Sequence, residues 1–163
     1  MSKLQALDLA LLRLLRTHGH QPPVEAAVLA FTRTGEHGLL WQATCIAGAL
    51  LDPPRRRTYL RAMRVIGIAY LVNIALKQVV RRPRPALEDM PALSVTVSTL
   101  SYPSAHSATA FAAARELSRV LPAPLLYGVA TAMALSRPYV GVHYPTDCIV
   151  GAMLGTAMAE IVP

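Results

Sequence analysis

Three short stretches of the chain carry residues that could handle a phosphoryl group. They read KQVVRRPRP (77–85), YPSAHS (102–107) and SRPYVGVHYPTD (136–147). Lys77, Arg84 and Arg137 supply three cations that could hold a phosphate in place. The sequence has no HExxH motif and no Cys/His cluster at metal-ligand spacing. These residue types predict phosphoester chemistry that uses neither a metal nor an organic cofactor.

Two histidines could carry out the covalent and proton-transfer steps. His143 and Asp147 are four residues apart around Pro145, which suits the first turn of a helix. An aspartate that accepts a hydrogen bond from one ring nitrogen leaves the other nitrogen free to attack phosphorus. Ser104 is a favoured residue for a helix start, where free backbone N–H groups bind anions and where His106 could protonate the leaving oxygen. We therefore interpret His143 as the nucleophile and His106 as the general acid.

The composition is that of a membrane protein. Hydrophobic residues make up 53% of the chain and charged residues 15%, against about 25% charged residues in a typical soluble domain. A soluble, alanine-rich helical protein is the less favoured alternative, because few polar faces remain for water. We predict an all-α integral membrane bundle of about five to six helices in a single domain, residues 1–163. The candidate spans are 36–51, 58–76, 104–121, 125–136 and 146–161.

The N-terminal region differs from the rest. Leu4, Leu7, Leu11 and Leu14 recur at helical spacing, while charged residues such as Asp8 interrupt the apolar run. This pattern predicts an amphipathic helix that lies at the membrane interface. A second helix over 24–31 is too short to span by itself. We therefore expect residues 1–33 to be interfacial and residues 34–163 to form the transmembrane catalytic core.

The basic charge points to anionic partners. The net charge is +7, from 16 Lys and Arg against 9 Asp and Glu. Nucleic acid is disfavoured as a partner because aromatic residues are only 6% of the chain and no base-reading module is present. The run Arg55–Arg57 is typical of an anchor to acidic lipids, and we interpret Arg81 and Arg82 in the same way. The expected partners are the membrane and a lipid phosphate that reaches the site from the bilayer.

If the predicted spans alternate in direction, all the candidate site residues lie at one membrane face. The polar pair Glu36–His37, at the mouth of the first span, could also line the site. The positive-inside rule favours the opposite face as cytoplasmic, so we expect a multi-pass protein of the cell membrane with an extracytoplasmic site. The connecting cations that support this orientation are Arg55, Arg56, Arg57, Arg61, Arg64, Arg115 and Arg119 on one face, against Arg33, Arg81 and Arg82 on the other.

The three stretches match, in order and without a gap, the patterns K-x6-RP, PS-x-H and SR-x5-H-x3-D. In this the chain resembles the type 2 phosphatidic acid phosphatase (PAP2) superfamily. The resemblance implies an all-α membrane bundle with a metal-free site, in which His143 is the nucleophile, Asp147 its orienting partner and His106 the general acid. It also implies four phosphate-binding residues, Lys77, Arg84, Ser104 and Arg137. More loosely, the segment 33–41 is similar to the short decaprenylphosphoryl-phosphoribose 5-phosphatase-like members.

Together these features predict a membrane lipid phosphate phosphatase. It would hydrolyse a phosphomonoester or pyrophosphate of a lipid through a phosphohistidine, with a polyprenyl-linked cell-envelope precursor as a candidate substrate. Two alternatives stay open at this point. One is a lipid phosphotransferase of the same superfamily, since the motifs do not separate water from a lipid acceptor. The other is a non-catalytic membrane scaffold whose arginines bind acidic lipids.

Overall fold

The protein folds as a bundle of α-helices around one central helix. The computed structural model describes residues 3–163, so the first two positions of the predicted region 1–33 lie outside it. The described residues form seven α-helices, more than the five to six predicted, and the predicted all-α class is confirmed. The helices are α1 (Lys3–Thr17), α2 (Pro22–Thr34), α3 (Leu39–Leu51), α4 (Arg56–Val80), α5 (Ala105–Leu117), α6 (Ala123–Tyr139) and α7 (Pro145–Ile161).

Helix α5 forms the centre of the bundle. Its sequence, AHSATAFAAAREL, is rich in small residues, and most of its side chains are buried. It packs against α4, α6 and α7. Alanine favours helix formation and allows neighbouring backbones to approach closely. A helix of this kind can therefore pack closely against several neighbours at once.

The contact between α5 and α7 brings two predicted motifs together. A Cβ atom at Gly155 would lie 2.0 Å from the carbonyl oxygen of Ala108, and one at Gly151 would lie 2.5 Å from that of Ser104. Gly151 and Gly155 are spaced i, i+4, the arrangement that lets two helices in a membrane pack backbone to backbone. The backbone N–H of Ser104 also donates to the carbonyl of Asp147 at 2.9 Å. The start of α5 is thereby fixed against the start of α7.

Most helix boundaries differ by a few residues from those predicted, and two of these differences affect the site. The predicted span 36–51 begins only at Leu39, because His37 and Gly38 both have positive φ angles and form a 3-10 turn, Glu36–Gly38. Arg137, predicted in the loop after 125–136, lies in the last turn of α6 instead. Its backbone is therefore held by the helix and not by a loop.

Apolar side chains cover much of the outer surface, as expected for a protein in contact with lipid. Leu50 is 69% exposed and Leu71 is 65% exposed. By length and composition, Pro53–Val80 is the one helical segment within residues 3–163 that could cross a membrane. Helices α3 and α5 have 13 residues each, fewer than the roughly 17 that a full span needs. The five predicted spans therefore stay a prediction.

Helix α1 directs two of its charged residues toward the bundle. Asp8 and Arg16 are buried, whereas Leu4, Leu7 and Leu14 are each more than half exposed. The guanidinium group of Arg16 donates to the backbone carbonyls of Tyr139 and Pro91 at 3.0 and 2.8 Å. The helix is amphipathic as predicted: Asp8, Leu12 and Arg16 pack against the rest of the protein, while Leu4, Leu7, Leu11 and Leu14 point outward.

Candidate active site

The seven predicted site residues lie at one end of the bundle, where α4 and α6 end and α5 and α7 begin. A cavity of about 130 Å³ at this end is lined by five of them, Lys77, Arg84, His106, Arg137 and His143. Ser104 and Asp147 have no exposed surface and lie behind the cavity wall. Residues far apart in sequence thus meet around a space that opens to the outside.

His143 occupies the turn between α6 and α7. Its Nε2 atom lies 3.1 Å from Nη1 of Arg84, a cavity-lining residue. Its Nδ1 atom lies 3.5 Å from Oδ2 of Asp147, longer than a hydrogen bond of about 2.7–3.2 Å, and this buried Nδ1 makes no hydrogen bond to the described residues. Nε2 is thus the ring nitrogen next to the cavity.

The surroundings of His143 favour the neutral imidazole. Burial lowers its pKa well below the ordinary value, and the positive charges of Arg84, Arg137 and Lys77 lower this pKa further. A neutral ring can accept the hydrogen bond that Arg84 donates to Nε2. The same lone pair on Nε2 could attack an electrophile bound beside Arg84.

Asp147 caps the start of α7 in addition to contacting His143. It is the third residue of α7, and its Oδ2 atom accepts a hydrogen bond from the backbone N–H of Tyr144 at 2.9 Å. A carboxylate at this position is favoured by the helix dipole. The side chain is therefore fixed by the helix start before it interacts with the imidazole.

The three predicted phosphate-binding cations are held by backbone carbonyls and a hydroxyl. Lys77 donates to the carbonyls of Leu100 and Ser101, both at 3.1 Å. Arg84 donates to the carbonyls of Ser98 and Val142, both at 2.7 Å. Among residues 3–163, neither these two cations nor Arg137 forms an ion pair with a carboxylate. Their positive charges are therefore not neutralised by the protein and are available to an anion in the cavity.

Ser104 acts as the N-cap of α5. Its hydroxyl accepts a hydrogen bond from the backbone N–H of Ser107 at 3.4 Å. The amino end of α5, with the positive end of its dipole, is thereby held beside the cavity lined by Ala105 and His106. A direct bond from Ser104 to phosphate stays a prediction.

Thr32 is a buried connecting residue that the sequence did not reveal. Its backbone carbonyl lies 3.1 Å from Nε2 of His106, and its Oγ1 atom accepts a hydrogen bond from Nη1 of Arg137 at 2.6 Å. The hydroxyl of Ser136 donates to the same Oγ1 at 2.9 Å. Thr32 of α2 therefore positions both His106 and Arg137, which belong to different motifs. Because Nε2 of His106 is bonded to Thr32, Nδ1 is the nitrogen left for a substrate.

Asp8 and Arg82 form a second set of residues that sequence reasoning missed. Arg82 donates to Oδ1 of Asp147 at 2.8 Å and to Oδ2 of Asp8 at 2.7 Å. Asp8 also accepts from the backbone N–H of Thr146 at 3.0 Å, and the guanidinium of Arg82 lies 4.0 Å from the centre of the Tyr144 ring. The interpretation of Arg82 as a membrane anchor is therefore wrong, because its guanidinium group binds two buried carboxylates. Arg82 connects α1 to the carboxylate behind His143.

Comparison with known proteins agrees with this geometry. Residues 58–163, which include all three motifs, match the PAP2 superfamily. The chain belongs to the PAP2 superfamily. Decaprenylphosphoryl-5-phosphoribose phosphatase of Mycobacterium tuberculosis is 39% identical over 145 residues, covering 87% of this chain and 80% of that protein. The enzyme of the same name from Mycolicibacterium smegmatis is 41% identical over 133 residues, covering 80% and 73% respectively.

Two solved structures share the fold. LpxE of Aquifex aeolicus has a TM-score of 0.81 and 28% identity, over 95% of this chain and 93% of that one. The transmembrane PAP2 type phosphatidylglycerolphosphate phosphatase of Bacillus subtilis has a TM-score of 0.81 and 26% identity, over 99% and 85%. The resemblance predicted from the three motifs is confirmed. The protein is a PAP2 lipid phosphate phosphatase associated with the membrane.

Proposed function

We propose that this phosphatase removes the phosphomonoester at the polar end of a polyprenyl-linked lipid, through a phosphohistidine on His143. The observation that carries the proposal is the position of Nε2 of His143 beside a cavity whose cations have no carboxylate partner among the described residues. The mycobacterial relatives are named for a decaprenyl-linked phosphoribose, which supports a polyprenyl substrate.

The first step transfers the phosphoryl group to the enzyme. Nε2 of His143 attacks phosphorus, the P–O ester bond breaks, and the leaving oxygen takes a proton from Nδ1 of His106. Arg84, Arg137 and Lys77 stabilise the negative charge on the three equatorial oxygens. A bound phosphate dianion would also compensate the positive charges of Arg137 and Arg84 near His106, so that its ring could carry the second proton. Asp147 stabilises the positive charge that develops on the ring of His143.

The second step releases phosphate. A water molecule gives a proton to Nδ1 of His106 while its oxygen attacks phosphorus, and the P–N bond to His143 breaks. Inorganic phosphate leaves, and both histidines return to their starting protonation states. The net reaction consumes one water and yields an alcohol and phosphate. Transfer to a lipid hydroxyl would follow the same path with the lipid in the place of water.

Phosphate release by the purified protein in detergent tests this proposal. A polyprenyl-linked phosphoribose, a prenyl phosphate and a diacylglycerol phosphate would be compared at matched concentrations. We expect the highest kcat/KM for the polyprenyl-linked phosphoribose, and a loss of about 1,000-fold or more in His143→Ala. Rapid alkaline quenching of the wild type with labelled substrate should trap labelled protein, and His143→Ala should trap none. Near-normal turnover by His143→Ala would refute the proposed nucleophile.

We also propose that the chain crosses the membrane several times and that the site faces away from the cytoplasm. The distribution of arginines between the two ends of the bundle supports this orientation. The test uses single cysteines in a background without Cys45 and Cys148, which are both buried. Glu88→Cys reports on the site end and Leu51→Cys on the opposite end, since both positions are exposed.

A membrane-impermeant thiol reagent applied to intact cells should label Glu88→Cys and not Leu51→Cys. Labelling of Leu51→Cys alone would reverse the orientation. Labelling of both positions in intact cells would contradict a membrane between the two ends of the bundle.

A further inference from the structure

Three polar residues form a second wall of the active-site cavity, apart from the phosphate-binding cations. Glu36 and His37 lie in the 3-10 turn between α2 and α3, and Tyr70 lies on α4 two turns before Lys77. All three line the same cavity as the catalytic histidines. Residues seven apart on a helix share a face, so Tyr70 and Lys77 both point toward this space.

His37 has a backbone conformation that is uncommon for residues other than glycine. Its φ and ψ angles are 52° and 16°, in the left-handed region. Its Nδ1 atom lies 2.6 Å from the hydroxyl of Tyr70, and the two rings meet edge to face with centroids 5.7 Å apart. Because the side chain is exposed, burial does not explain this arrangement. Strain of this kind at a cavity wall is characteristic of functional sites.

Glu36 carries the carboxylate in the lining of this cavity; the other charged lining residues are the cations Lys77, Arg84 and Arg137. Within residues 3–163 it forms no ion pair, and it is exposed. A carboxylate repels a phosphate dianion, so Glu36 does not serve the phosphate itself. It is an acceptor of hydrogen bonds. Hydroxyl groups on the alcohol that carries the phosphate would satisfy it.

We propose that Glu36, His37 and Tyr70 bind the hydroxyl groups of a polyhydroxylated leaving alcohol. This subsite rests on the phosphatase function proposed above. An ammonium headgroup would also attract Glu36, but the three cations of the same cavity disfavour it. A lipid-linked ribose and a lipid-linked glycerol share the required chemistry, because each bears at least one free hydroxyl within a few bonds of the carbon that carries the phosphate.

The test compares matched substrates on the full-length protein in detergent. The set consists of a prenyl-linked phosphoribose, its analogue without the two ring hydroxyls, and a lipid-linked glycerol phosphate. Wild type should prefer the hydroxylated ribose over the deoxy analogue by about 10- to 100-fold in kcat/KM, as expected for hydrogen bonds to a charged group. Most of this preference should appear in KM, since the hydroxyls are bound before and during reaction.

Two variants should reduce this preference. Glu36→Gln removes the charge, and His37→Asn removes the imidazole while an asparagine tolerates the left-handed conformation. Each should lower the ratio of the two kcat/KM values by about tenfold. Val97→Ala is the matched control, since Val97 lines the cavity and is 99% exposed but has no polar side-chain atom. It should change both substrates by the same factor. Unchanged melting temperatures would show that all three variants are folded.

The outcomes separate this proposal from the previous one. The subsite is refuted if wild type hydrolyses the deoxy analogue as fast as the prenyl-linked phosphoribose. It is also refuted if Glu36→Gln slows the phosphoribose and its deoxy analogue by the same factor. In either case the phosphatase function stands. If wild type releases phosphate from none of the substrates, the proposed function itself fails, and the subsite with it. A Glu36→Gln effect on ribose alone would support a sugar headgroup. An equal effect on the glycerol substrate would support recognition of a hydroxyl common to both.

Discussion

Arg82→Lys tests whether the N-terminal helix is coupled to His143, the proposed nucleophile. The substitution keeps the positive charge, so a residue that only anchors the protein to acidic lipids would tolerate it. It removes the guanidinium fork, which at present reaches Asp147 at 2.8 Å and Asp8 at 2.7 Å through different nitrogens. A lysine ammonium is a single point of charge and does not reproduce this geometry.

The magnitude follows from the bond that is lost. A hydrogen bond between charged groups contributes about 1.5–3 kcal/mol. If the ammonium of the substituted lysine stays with Asp8, Asp147 loses the hydrogen bond that holds its carboxylate in place. The proposed cationic form of His143 is then stabilised less well, by up to the same free energy. At about 1.4 kcal/mol per factor of ten, kcat should fall by about 10- to 100-fold. KM should change by less than about threefold, because Arg82 does not line the phosphate cavity.

The assay is phosphate release from a short-chain lipid phosphate in detergent, with kcat and KM determined separately. Arg81→Lys is the matched control, because Arg81 is the adjacent arginine and is exposed. Asp8→Asn should lower kcat in the same direction, and the double variant should lose less than the sum of the two single effects. An Arg82→Lys variant with the kinetics of Arg81→Lys would refute the coupling and restore the anchor interpretation.

Four further predictions address the rest of the site. Thr32→Val should lower kcat/KM by about 10- to 100-fold because Nη1 of Arg137 loses its acceptor, whereas Thr32→Ser should stay near wild type in the same phosphate-release assay. Gly35→Ala should lower kcat by about tenfold or more, since the new Cβ would lie 2.6 Å from Sδ of Met133 and 2.7 Å from Cδ2 of His106; an unchanged kcat would show that both side chains can move without displacing the ring from its working position. Burial and the neighbouring cations lower the pKa of His143, so the unfolded chain takes up that proton first and stability is lost as pH falls below about 6.5. The melting temperature should therefore fall less between about pH 7 and pH 5 in His143→Gln than in wild type. Orthovanadate should inhibit phosphate release and EDTA should not; a loss of activity on chelation that a divalent metal restores would overturn the metal-free mechanism.

The sequence was sufficient to identify the family and to predict which residues form the candidate site, because the spacing of those residues along the chain is itself the signal. His143 and Asp147 are close since they are four residues apart at a helix start, and Ser104 and His106 since they open α5. The grouping of all seven residues at one end followed from helices that alternate in direction. The boundaries were less predictable. The positive φ angles at His37 and Gly38 delay the start of α3, and hydropathy carries no information on backbone angles.

The connections that hold the site together depend on contacts between distant parts of the chain. The hydrogen bonds of Arg82 to Asp8 and of Arg137 to Thr32 join residues 74 and 105 positions apart. In the sequence, Asp8 is one polar residue in a leucine-rich helix and Thr32 is one hydroxyl in another, and neither belongs to a motif.

The amino-acid sequence by itself determined the family and predicted the chemistry, because the proposed nucleophile, acid and three cations are defined by residue type and local spacing. Only the tertiary structure decided how α1 and α2 support that chemistry. A buried polar group requires a partner, and which partner it finds depends on how the helices pack and not on their order in the chain.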